Sequence, residues 1–113
     1  MNVTTSHIGN VVVLRVQESR LTYPILADFA TAAANLIAAG EQRIVVDLSP
    51  VSYVDSATIG CLMDLYRQLA ATGGQLKLSG VQKRVETMLS LTGAHNFIEI
   101  HADEPSAVRS FGA

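Results

Sequence analysis

The stretch D-S-A-T-I-G, Asp55 to Gly60, places a carboxylate and two hydroxyls close together: Asp55, Ser56 and Thr58. These residue types support two roles at a helix start. A serine there accepts an N–H from the first turn and caps it, and Ser56 is read as that cap. Asp55 adds negative charge at the positive end of the helix dipole. A hydroxyl at the same place can instead carry a phosphate facing the free N–H groups of the first turn. Phosphorylation would add about −1.5 to −2 charges beside Asp55. That alters a surface without unfolding a domain, and a partner packed on it meets repulsion and a desolvation cost. The first role is structural and the second is a binding switch. Neither is turnover.

Other chemistry is thin. The histidines are His7, His95 and His101, and none has a Cys or second His at metal-ligand spacing. They read as partly exposed side chains, and no metal or cofactor is expected. No G-x-S-x-G elbow, P-loop or G-x-G-x-x-G occurs. Gly73-Gly74 follows a helical pattern rather than opening one, so it reads as a helix end. Asp64 and Arg67 are spaced for an exposed ion pair on one helix rather than a catalytic pair. The single Cys61 reads as a small buried apolar residue. The expectation is a protein that is not an enzyme.

The elements that must position Asp55 to Gly60 are legible in the apolar spacing. Asn2 to Ile8 and Val11 to Val16 read as a hairpin around Gly9-Asn10. Thr22 and Pro24 mark a helix start, and Leu26, Phe29, Ala30, Ala33 and Ile37 form one apolar face ending at Gly40. Ile44-Val45-Val46 with Leu48 suits a strand covered on both sides. After the motif, Ile59, Leu62, Met63, Tyr66 and Leu69 make a second helix face. Gln75 to Leu78 reads as a strand, Val81, Val85, Met88 and Leu89 as a helix ending near Gly93, and Phe97, Ile98 and Ile100 as a last strand. Asp103 can cap a short final helix with Pro105, Ala107, Val108 and Phe111. The order is ββαβαβαβα, an α/β fold with a mixed, mostly parallel sheet and about four helices. Loops after such strands are where these sheets usually place function, and Asp55 to Gly60 falls there.

Bulk properties narrow the classes. The 113 residues suffice for one domain, 1–113, with one modest core. The chain is 49% apolar and 16% charged, which excludes a disordered chain. A net charge of −2 and the lack of a long Lys/Arg run argue against nucleic acid as a partner. No apolar run approaches the roughly 20 residues of a membrane span, so no direct membrane insertion is expected. One cysteine and no basic-then-apolar leader point to a reducing, cytoplasmic setting.

Val45 to Leu62, V-V-D-L-S-P-V-S-Y-V-D-S-A-T-I-G-C-L, resembles the STAS domain family. That family has a strand ending in D-L-S, a short connector, then aromatic-apolar-D-S-S-G-L-G and a helix. G-G-Q-L-K-L-S-G-V from Gly73 and M-L-S-L-T-G-A from Met88 are similar to its later strand and helix, so the resemblance covers nearly the whole chain. It implies a mixed sheet with helices packed largely on one side. It also implies a non-enzymatic regulator of the anti-sigma factor antagonist type. In that system a kinase-type anti-sigma factor phosphorylates the antagonist on a hydroxyl of the motif, and a PP2C-type phosphatase restores it. Carried onto this chain, the partner surface is Ser52, Tyr53, Asp55, Ser56, Ala57, Thr58, Ile59 and Gly60.

Two departures from the family pattern stand out. Aligned without gaps, the usual phosphoacceptor position is Ala57, which has no hydroxyl, and Thr58 replaces the next glycine. Ser56 is then the first candidate for phosphorylation and Thr58 the second. Thr22 replaces an acidic residue usually found near the phosphosite. Ala57 also suits an alternative, a constitutively bound STAS subunit of a lipid-transport ABC system or of a larger signalling complex. A small-molecule binder at the sheet's carboxyl end is a third class, but no residue pattern specifies a ligand.

Overall fold

The computed structural model describes residues 2–112. Strands β1 (Val3–Ile8) and β2 (Val11–Val16) form the expected hairpin. A two-residue strand β3 (Arg20–Leu21) leads into α1 (Tyr23–Ala38). Then come β4 (Arg43–Asp47), a two-residue β5 (Tyr53–Val54) and α2 (Ser56–Ala71). The chain continues through β6 (Gln75–Ser79), α3 (Lys83–Thr92), a 3-10 turn (Ala94–Asn96), β7 (Glu99–His101) and α4 (Glu104–Arg109). The main sheet has five strands in the order β1-β2-β4-β6-β7. β1 and β2 are antiparallel, and every other neighbouring pair in that sheet is parallel.

The period-2 alternation of the strands explains the layers. Val12, Leu14 and Val16 of β2 share one face with Ile44, Val46, Leu76 and Leu78. That face packs on Phe29 and Ala33 of α1, Leu62, Leu65 and Leu69 of α2, and Val85 and Leu89 of α3. The intervening residues, Val11, Val13 and Val45, point the other way and meet Ala107 with Val108 and Phe111. Covering on both sides is why β2 and β4 read as continuous apolar runs. Phe29 has 0% of its surface exposed, and truncating such a ring costs about 3–5 kcal/mol.

The fold is the expected mixed, mostly parallel α/β arrangement with four helices, and the short elements differ. β3 and β5 pair in parallel as a separate two-stranded sheet, Arg20 opposite Tyr53 and Leu21 opposite Val54. The last strand is Glu99–His101 rather than a run starting at Phe97. Gly93 takes a left-handed φ of 79° that ends α3 and opens the 3-10 turn, which uses up Ala94 to Asn96. Ile98 stays buried before the strand, while Phe97 is exposed. No helix among the described residues is long and apolar enough to cross a membrane.

Candidate functional site

The small β3–β5 sheet brings the two ends of Leu21–Tyr23 and Tyr53–Thr58 together. Val54 is 0% exposed and anchors β5 to the core, so the alternate residue Tyr53 faces outward. Ser52 ties the connector down as well, its N–H and hydroxyl both donating to Ser19 O, at 2.8 and 3.0 Å. α2 therefore starts at a fixed point against the start of α1.

Asp55, not Ser56, is the N-cap of α2. Its Oδ1 accepts the Thr58 N–H at 2.9 Å, and the helix begins at Ser56. The cause is geometric. An extended residue must precede the helix for its oxygen to reach back to the first turn, and Asp55 has that backbone (φ −102°, ψ 176°). Asp55 also serves α1. Thr22 occupies the N-cap position there but makes no side-chain capping bond, and the Tyr23 N–H donates to Asp55 Oδ2 at 2.8 Å. Burial alone would raise the Asp55 carboxyl. The Tyr23 N–H, the Thr58 N–H and the Thr58 hydroxyl outweigh it and hold the group below the usual carboxylate range.

The two candidate hydroxyls are not equivalent. Thr58 is 0% exposed, and its Oγ1 lies 2.7 Å from Leu21 O and 2.8 Å from Asp55 Oδ1. Both neighbours are acceptors, so the single hydroxyl proton is committed to them. Thr58 locks β3, the cap and α2 together, with its hydroxyl buried between two acceptors. Ser56 is exposed, and its hydroxyl has no hydrogen-bond partner among the described residues. As the first residue of α2 it stands beside helix N–H groups that lack intrahelical acceptors. Ala57 and Gly60 are exposed, whereas Ile59 is 5% exposed and belongs to the core. Of the eight positions expected on the partner surface, Thr58 and Ile59 turn inward.

Two features were not singled out in the sequence, the groove at Tyr23 and the arginines over Tyr53, and Cys61 differs from its expectation. Tyr23, 75% exposed, lines a shallow groove between α1 and α2 with Pro24, Leu26, Ala27, Ala30 and Cys61. An aromatic directly before a helix proline was the available signal. Cys61 is half-buried there rather than fully buried, and burial together with the Asp64 charge pushes its thiol up, away from reactivity. Beside the motif, the Arg20 guanidinium lies 4.4 Å from the Tyr53 ring centre and that of Arg84 lies 5.6 Å from it. Among the described residues no group of three or more His, Cys, Asp or Glu could hold a metal ion. Asp64 and Arg67 form the expected exposed pair at 2.8 Å.

Known proteins share this fold. The STAS domain family matches residues 2–107. The anti-sigma-B factor antagonist of Bacillus subtilis (strain 168) is 31% identical over 62 residues, covering 55% of this chain and 57% of that protein. The chain spans about half the length of the curated relatives it matches. An anti-sigma-factor antagonist (STAS) domain protein from Planctomyces limnophilus superposes with a TM-score of 0.90 at 16% identity, over 98% of each chain. The Bacillus cell fate determinant SpoIIAA in its phosphorylated form gives 0.75 at 18% identity, over 97% of this chain and 99% of that one. At such identities the structural likeness speaks for the fold.

Proposed function

The chain belongs to the STAS domain family, and from that premise we propose that it is a non-enzymatic regulator of the anti-sigma factor antagonist type. In this reading it binds a kinase-type anti-sigma factor in the cytoplasm through the start of α2. Ser56 is the switchable hydroxyl, and a PP2C-type phosphatase resets it. The observation that carries the reading is the contrast between Ser56 and Thr58. One hydroxyl is exposed and unbonded at a helix N-terminus, and the other is sealed. The antagonist relatives favour this reading over a constitutive transport subunit.

The docking surface combines exposed Ser56, Ala57 and Gly60 with the outward ring of Tyr53 and the neighbouring α1–α2 groove. A phosphate on Ser56 would sit at the positive end of α2 and leave Asp55 in its capping role. The domain would stay folded while its contact surface gained charge.

Incubation with the anti-sigma factor kinase of the same organism and ATP tests this. The expected result is a complex with the unmodified chain and, by intact mass and fragmentation, one phosphate on Ser56 that S56A abolishes. A complex without phosphate sinks the switch, and no complex sinks the reading as a whole.

A further inference from the structure

Arg20 and Arg84 both lie over the outward ring of Tyr53, at 4.4 and 5.6 Å. Among the described residues neither guanidinium pairs with a carboxylate. Among the described residues three of the eight Lys and Arg side chains, Arg15, Arg67 and Lys77, have acidic partners. Arg20 and Arg84 differ from the other cations without one in lying together over a single aromatic ring. The register pairing of Arg20 with Tyr53 and the contact of α3 with β5 fix the three side chains in one place, although they come from three separate segments. Stacking on an aromatic face restrains a guanidinium but leaves its N–H donors free for a planar oxyanion.

We propose that Arg20, Tyr53 and Arg84 form a docking platform for an acidic, carboxylate-bearing segment of the protein partner. This rests on the reading above, in which the partner covers the start of α2. The carboxylate class follows from charge complementarity: two fixed guanidiniums without internal acids match bidentate carboxylates. It also gives the switch a second arm. Ser56 follows Tyr53 by three residues, so their Cα atoms lie within about 11 Å. The Debye length is about 8 Å at physiological salt and about 30 Å at 0.01 M, so the effect of a charge at Ser56 is largest at low salt. A phosphate there carries about −1.5 to −2 charges, which offsets the two arginine charges. Phosphorylation then discharges the platform as well as crowding the surface.

The test uses an octaglutamate peptide as the probe, so it does not depend on finding the partner or a kinase. Binding is followed by NMR through the Arg side-chain N–H signals and the Tyr53 ring. The expected result is saturable shifts at Arg20, Tyr53 and Arg84, lost at about 0.5 M salt where screening is nearly complete. R20Q/R84Q should weaken binding about tenfold. R43Q, at an exposed arginine elsewhere, should change nothing, and S56E should weaken binding severalfold. Thermal unfolding of each variant confirms that it is folded, and R20K/R84K separates lost charge from lost stacking by restoring part of the affinity. Shifts spread evenly over all the basic residues, an equal effect of R43Q, or binding unmoved by R20Q/R84Q overturns the platform. Inorganic phosphate that displaces the peptide at equal concentration would make this a phosphate site and also overturn it. If S56E leaves peptide affinity unchanged, the discharge arm falls.

Discussion

The N–H of Tyr23 donates to Asp55 Oδ2 at 2.8 Å, so a carboxylate at the start of α2 closes the first turn of α1. One side chain caps two helices. D55A should therefore cost more than a single cap, about 2 to 3 kcal/mol in urea unfolding. D55N keeps oxygen at one position only and should lose roughly half of that.

The same contact sets a pH dependence. Asp55 has its carboxyl lowered in the folded chain despite burial, because Tyr23 and Thr58 donate to it. A lowered carboxyl contributes stability that is complete above the unfolded value, near about 3.9, and is lost as pH falls through the folded value. Unfolding curves for wild type and D55N should run roughly parallel above about pH 5 and converge in acid. A gap that stays constant down to about pH 2.5 would mean the charge contributes nothing.

Thr58 should behave as a structural residue and Ser56 as a surface one. T58V keeps the shape but removes the hydroxyl from Leu21 O and Asp55 Oδ1, at a cost of about 1 to 3 kcal/mol. T58S should restore most of it. S56A should change stability by less than about 0.5 kcal/mol. Equal effects of T58V and S56A on the unfolding midpoint would contradict the assignment.

The long elements were legible because each carries either a helical period or an unbroken apolar run. α1 and α2 show the 3.6 period, while β2 and β4 show unbroken β-branched runs, and these apolar positions lie in the core except Ala30, which lines the α1–α2 groove. The two-residue β3 and β5 were not legible, since two residues cannot display alternation. That small sheet decides the geometry of the site. Without the pairing of Leu21 with Val54, nothing in the sequence places Tyr23 beside Asp55 or aims Thr58 at Leu21 O. The motif was visible, but the burial of one of its two hydroxyls was not. The Arg20–Tyr53–Arg84 cluster is spread over three segments and has no sequence pattern at all.

On the opposite face of the sheet, Arg15 holds Glu104 through Nε and Nη2, both at 2.7 Å, and this ties α4 to β2. Asp47 lies against the same pair. Burial first, then its contact with Glu104, pushes the Asp47 carboxyl up, although the Ser49 N–H pulls it down. An acid raised on folding carries no penalty below its unfolded value and a growing one as pH rises through the folded value. D47N removes that penalty and its oxygen can still accept the Ser49 N–H. It should be more stable than wild type at pH 7 by of order 1 kcal/mol, with the advantage gone near pH 3. Greater stability of wild type at pH 7 would show that the Asp47 charge is favourable where it stands.

Ala57 allows the register of the switch to be tested directly. It is exposed, second in α2, and a serine there meets no buried neighbour, so A57S should unfold within about 0.5 kcal/mol of wild type. Adjacent helical positions point about 100° apart. In-line phosphoryl transfer depends on placing the attacking oxygen, and a misplacement of about 1 Å can cost about a hundredfold in rate. A kinase built for the family's acceptor position should therefore modify the A57S variant at its new hydroxyl at least tenfold faster than it modifies wild type at Ser56, a margin set well inside that cost. Time courses of intact mass with fragmentation give both rates and sites. If A57S gains no phosphate at the substituted position while Ser56 reacts at its old rate, the kinase reads this chain one residue early, and Ser56 is its proper acceptor.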